Sequence, residues 1–185
     1  MAAEPTVAPS GRLAKLTAAN MLRSMLPLVL MVLALAYFCS PQVTDPVLEI
    51  DPSNSIRYAA SLALVALPVP ELAETWRPTS AEVDAPADGQ PGLVTLTIGY
   101  LTPEQNFARY VVSTDPTAAL IDSLLQGADP GAALTIAGQA WEEFSTSRNE
   151  RLYLSGTGGL RLLVTGSASQ DELRTLAASL TPYRG

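Results

Sequence analysis

"GGLRLLVTGSASQDELRTLAASL", residues 158–180, decides how the chain is read. Leu160 to Val164, Leu-Arg-Leu-Leu-Val, is a mostly apolar run that reads as a strand. Gly166 supplies a turn, and Ser169 stands where a helix would begin. Glu172 follows Ser169 by three residues, which completes Ser-x-x-Glu, the capping box, and Ser167 with Gln170 is the alternative cap. A helix over roughly Gln170 to Leu180 then carries Leu173, Leu176, Ala177 and Leu180 on one stripe, ready to lie on a sheet. The small polar cluster at residues 165–169 thus reads as helix punctuation. Its free N–H groups leave an anion site as the secondary reading.

Upstream, the same plan recurs. "LVTLTIGYL" alternates Val94, Leu96, Ile98 and Tyr100 against Leu93, Thr95, Thr97 and Gly99, a half-buried strand. "TPEQN" turns it into the strand "FARYVVS". An edge-type strand around Thr79 to Val83 follows Pro78, and "APADGQPG" is a loop. In "STDPTAALIDSLLQGA", Asp115 is the expected N-cap, Pro116 the first helical residue and Gly127 the stop. "LTIAGQAWEEFS", broken by Gly138, and "ERLYLSG" read as further strands, and "TGG" turns into the strand of the opening stretch. Hairpin runs followed by helices make the fold α+β: an antiparallel sheet packed with helices, arranged as two βββα-like halves. A helix with Ile56, Ala59, Ala60, Ala63, Leu64 and Leu67 at helical spacing precedes the sheet, stopped by Pro68 and Pro70. Val47 to Ile50 suggests a short strand before it.

The N-terminal part is different in kind. "MLPLVLMVLALAYFC", Met25 to Cys39, is fifteen residues without a charge. Extended to residues 22–41 it reaches about 20 residues, the length of a transmembrane helix. Residues 1–40 hold three basic side chains against one acidic; the remainder holds eight against seventeen. The positive-inside rule puts the N-terminus in the cytoplasm and the C-terminal domain outside the cell membrane. A cleaved signal peptide, with "ALA" at residues 34–36, and a lipoprotein modified at Cys39 are the competing readings. The expected layout is a cytoplasmic segment over 1–21, a single transmembrane helix over 22–41, a Pro-rich stalk over 42–55 and an extracytoplasmic α+β domain over 56–185.

Chemistry is restricted by what the chain lacks. It contains no histidine, one cysteine and one lysine, Lys15. Ser-His and Cys-His nucleophiles, histidine metal sites and an intrachain disulfide are therefore ruled out, and no cofactor or metal is expected. The acidic domain repels phosphate backbones, so nucleic acid is not an expected partner. Carboxylate chemistry survives. Glu142 and Glu143 are neighbours on a strand and so point to opposite faces, and Asp171 and Glu172 sit in a first helical turn. The larger aromatics are expected mostly in the core, with Trp76, Arg77 and Trp141 as a candidate binding surface.

Four segments, "WRPTSAEV" (76–83), "TLTIGYLTP" (95–103), "AGQAWEEF" (137–144) and "GLRLLVTGSASQDELRTLAASL" (159–180), resemble those of an actinobacterial family of single-span membrane proteins, domain-of-unknown-function family 4245. The last segment is also similar to the ends of extracytoplasmic sensor domains in sporulation and anti-sigma proteins. The family resemblance implies location and architecture and carries over no catalytic residue. The functional expectation is a non-enzymatic binding or accessory module at the cell envelope, held to the bilayer by its anchor and engaging an envelope or membrane protein. A sensor of envelope lipid or lipoprotein is the second reading. A carboxylate-dependent hydrolase is the third, and it requires two acids roughly 5–10 Å apart in one cleft.

Overall fold

A computed structural model describes residues 21, 23, 25–35, 48–86, 91–147 and 150–185. The chain divides into two compact units, Met1–Pro46 and Val47–Gly185. In the first, residues 25–35 form helix α1, with Met21 and Arg23 also helical. No helix among the described residues is long and apolar enough to cross a membrane. The expected span over 22–41 includes positions 22, 24 and 36–41, which lie outside the described residues, as do Cys39 and positions 42–47 of the expected stalk.

The second unit is a mixed domain built on an antiparallel sheet. Its elements run α2 (Ser53–Leu62), β1 (Pro68–Pro70), β2 (Arg77–Asp84), β3 (Thr95–Leu101), β4 (Phe107–Ser113), α3 (Ala119–Leu125), β5 (Asp129–Ile136), β6 (Gln139–Ser145), β7 (Arg151–Thr157), β8 (Leu160–Gly166), α4 (Gln170–Ala178) and β9 (Leu180–Pro182). Seven strands form one sheet in the order β2-β3-β4-β8-β7-β6-β5, every neighbouring pair antiparallel. Two meanders, β2 to β4 and β5 to β8, thus meet through their last strands. β1 and β9 make a separate two-stranded ribbon.

Strand alternation produces two cores. Leu96, Ile98, Tyr100, Tyr110, Val112, Val164, Leu162, Tyr153 and Trp141 point to one face and pack with Ala59 and Leu62 of α2 and Leu173, Leu176 and Ala177 of α4. Val111, Leu163 and Leu152 point to the other face and pack under Ile121 of α3. The register agrees, with Tyr110 opposite Val164 and Val111 opposite Leu163. α3 and α4 therefore cover opposite faces. This corrects the expectation of two equivalent βββα halves: the second run has four strands, and a two-fold relating β4 to β8 would keep both helices on one face. The extra strand is β5. Ala137 (φ 49°) and Gly138 (φ 83°) form a two-residue turn that folds "LTIAGQAWEEFS" into the β5–β6 hairpin.

Local signals fared unevenly. α4 begins after Ser169, whose Oγ accepts from Glu172 N at 3.3 Å while Glu172 Oε2 accepts from Ser169 N at 3.1 Å: the capping box is present. Ser167, the alternative cap, accepts instead from Phe107 N at 3.2 Å. Replacing Ser169 by Ala is expected to cost about 0.5–2 kcal/mol, read as a lowered urea midpoint at unchanged m-value. At α3 the expected cap moves. The helix starts at Ala119, and Asp115 instead accepts from Thr117 N and Thr117 Oγ1, both at 2.8 Å, in a turn ahead of it. These two bonds, from the Thr117 backbone first, hold the Asp115 carboxyl below its usual range. α2 ends at Leu62, a turn before Pro68, so Leu64 leaves the apolar stripe and is exposed. It begins at Ser53, inside the segment expected as stalk, with Asp51 accepting from Ser53 N at 2.9 Å. Residues 48–50 form no strand, although Ile50 N donates to Pro78 O at 2.9 Å. α4 stops at Ala178 because Leu180 to Pro182 pair with β1.

Candidate functional site

Trp76, Arg77 and Trp141 are not brought together. Trp76 lies just before β2 and packs edge-on against Tyr100, ring centroids 6.3 Å apart. Arg77 opens β2, and its Nη2 donates to Gln105 Oε1 at 2.9 Å. Trp141 is in β6, five strand positions along the sheet, about 24 Å away at the usual interstrand spacing. Both indoles are buried, Trp76 at 7% and Trp141 at 1% exposure, because each falls on the face that α2 and α4 cover. They are core residues, and the expected three-residue surface does not form.

The opposite face carries a groove instead. Ala133 and Thr135 of β5, Ala140 and Glu142 of β6, and Leu154 and Gly156 of β7 line a cavity of about 430 Å³. Register places them together: Ala133 is opposite Glu142, Thr135 opposite Ala140, and Glu142 opposite Leu154. α3 covers the neighbouring part of this face through Leu152, Leu154 and Leu163 and stops short of the groove. Small side chains leave the floor low, and Glu142 is the only charged group in the lining. Its neighbour Glu143 turns to the other face and pairs with Arg151. Behind the groove, Ser155 Oγ donates to Ala140 O at 2.6 Å and accepts from Gln139 Nε2 at 2.9 Å, so its hydroxyl is held in the sheet. A lone carboxylate among alanine, glycine and leucine can bind and orient; no other titratable group lines the groove among the described residues. Sequence periodicity missed this site because alanine and glycine give no signal on either face.

Two other carboxylate settings are present. Asp84 and Asp115 share a cleft of about 240 Å³ with Pro86, Leu93 and Thr95. The bonds from Thr117 hold the Asp115 carboxyl below its usual range, so Asp115 itself is not suited to the protonated-acid role that glycoside hydrolysis requires. Glu172, 9% exposed, is engaged on every side. Beyond the capping box it accepts from Glu104 N at 3.3 Å and from Asn106 Nδ2 at 3.5 Å, tying α4 to the β3–β4 loop. Burial raises its pKa, but hydrogen bonds from Thr102, Ser169 and Glu104 together outweigh that and hold it below the usual 4.5. No group of three or more Cys, Asp or Glu side chains that could hold a metal ion occurs among the described residues. Between α4 and the sheet, Leu173 and Leu176 are fully buried.

A family model whose description is protein of unknown function (DUF4245) matches residues 14–180. No curated protein and no solved structure matches the chain.

Proposed function

Because the chain belongs to the DUF4245 family, a description that names no reaction, we propose from its own surface that the α+β domain is a non-enzymatic binding or accessory module. It stands outside the cell membrane on a single-pass anchor and engages an envelope or membrane protein. The observation that carries the binding role is the groove across β5, β6 and β7, open to solvent and holding one charged group, Glu142. The anchor rests on the uncharged run over residues 25–39 and on the change from a basic to an acidic chain across it.

Two measurements test this. Protease added to spheroplasts is expected to remove the domain while an N-terminal tag stays protected; a domain that resists until the membrane is permeabilised overturns the topology. A photo-reactive residue placed at exposed Glu142 in the full chain is expected to cross-link a discrete partner, and one at exposed Tyr58, on α2, is not. Equal labelling from both positions, or none from Glu142, overturns the binding role.

A further inference from the structure

The two edges of the seven-stranded sheet are treated differently by the chain. β2, one edge, is closed. Pro78 lacks an N–H, its carbonyl accepts from Ile50 N at 2.9 Å, and the Ala81 carbonyl accepts from Ser55 Oγ of α2 at 3.3 Å. A register shift between Pro78 and Ser80 bends the strand, and Glu82 and Asp84 charge it. These are the devices by which sheets avoid adding strands.

β5, the other edge, carries Pro130 and a register shift between Pro130 and Ala133, but from Ala133 onward its pairing with β6 is regular and it has no proline or charge. Residues 131–135 read Gly-Ala-Ala-Leu-Thr, uncharged, and all but Leu134 are exposed. The tight turn at Ala137–Gly138 makes Ile136 and Gln139 a hydrogen-bonded pair, so Thr135 opposite Ala140, and Ala133 opposite Glu142, are non-hydrogen-bonded pairs. Ala140 accordingly turns its carbonyl to β7, where Ser155 Oγ donates to it. Thr135 and Ala133 must then turn their N–H and C=O groups outward, and no partner meets them among the described residues. Their side chains line the groove, so one feature supplies both main-chain hydrogen bonds and room for side chains.

We infer that β5 accepts an extended segment of a partner protein as an eighth strand, main-chain bonded to Ala133 and Thr135, with basic side chains reaching Glu142 and Asp129. This rests on the binding-module reading and names its mode. Charge selects the occupant: the exposed acids flanking the open edge are Asp129 and Glu142, in a domain whose acids outnumber its bases. A second copy would bring the same acids to one seam.

The test uses the full chain in detergent and a blocked octapeptide of alternating lysine and valine, read by hydrogen exchange. The peptide is expected to slow exchange across residues 129–136 by about tenfold. Ala133→Pro removes an outward N–H and is expected to abolish that protection. Glu142→Arg, at an exposed position that keeps the fold, is expected to abolish binding as well. The same octapeptide with glutamate for lysine is expected to leave exchange unchanged. Absent protection, protection that survives both substitutions, or a dimer that Ala133→Pro converts to monomer overturns the inference. If Glu142 still cross-links a partner in cells while β5 gains no protection, the binding module stands and only the added strand falls.

Discussion

Glu172→Ala is expected to lower the stability of the domain by about 3 kcal/mol, roughly a 10 °C fall in Tm for a domain of this size. The side chain accepts from Ser169 N, Ser169 Oγ, Glu104 N and Asn106 Nδ2, so its removal strands donors in two separate elements at once. A plain cap deletion leaves the β3–β4 loop intact, which is why Ser169→Ala should cost less. Glu172→Gln keeps the shape and one acceptor and is expected to fall between them. The carboxyl also sets a pH limit. Its folded pKa lies below 4.5, so the stability it contributes is fully present above that value and is lost as pH falls through the folded pKa. Thermal unfolding followed from pH 7 to pH 3 is expected to show the gap between wild type and Glu172→Gln closing on acidification. A gap that stays constant would show that the charge contributes nothing.

Gly166→Ala is expected to be at least as damaging, at about 3 kcal/mol or more. Gly166 lies between β4 and β7, opposite Ala108 on one side and Arg151 on the other. Its φ of 150° disfavours any side chain, and an added Cβ would run into the Phe107 carbonyl and lie 2.9 Å from Ala108 Cα. Those are backbone atoms at the join of the two meanders and cannot rotate away. Gly156→Ala is the matched control. There a Cβ meets nothing within 4 Å, and the change should be close to neutral in a urea titration. Similar losses at both glycines would mean that close approach at Gly166 is not the cause.

How far the sequence could be read depended on the reach of each interaction. The strand from Leu160, the Ser169–Glu172 box and the α4 stripe depend on neighbours within one turn; the first two are present, and the stripe holds for Leu173, Leu176 and Ala177 while Leu180 joins β9. The alternation of residues 93–100 named the core face of β3 correctly, because a strand's parity is local. Asp115 carried the same kind of signal and still failed as a cap, since its carboxylate found Thr117 two residues on before the helix began. The β1–β9 pairing, the opposite placement of α3 and α4, and the bonds from Glu104 and Asn106 to Glu172 join residues far apart in the chain. Nothing in a local window specifies them. Trp141 shows the same limit at the candidate site. Its flanking Ala140 and Glu142 gave no apolar alternation, so the burial of its ring became evident only once α4 lay over that face.

The meeting of the two meanders also sets an order of events in folding. β2 to β4 and β5 to β8 can each close through short turns, but β4 and β8, the strands that join them, lie on either side of α3 and three further strands. A chain emerging N-terminus first holds β4 as an uncovered edge until residues 160–166 are released. Pairing over such a separation is slow, and an apolar edge left waiting is prone to foreign contacts. β9 then fastens to β1, which precedes it by more than a hundred residues. Completion of the seven-stranded sheet is therefore timed by β8, and loss of that strand should leave two unjoined strand sets rather than a smaller domain.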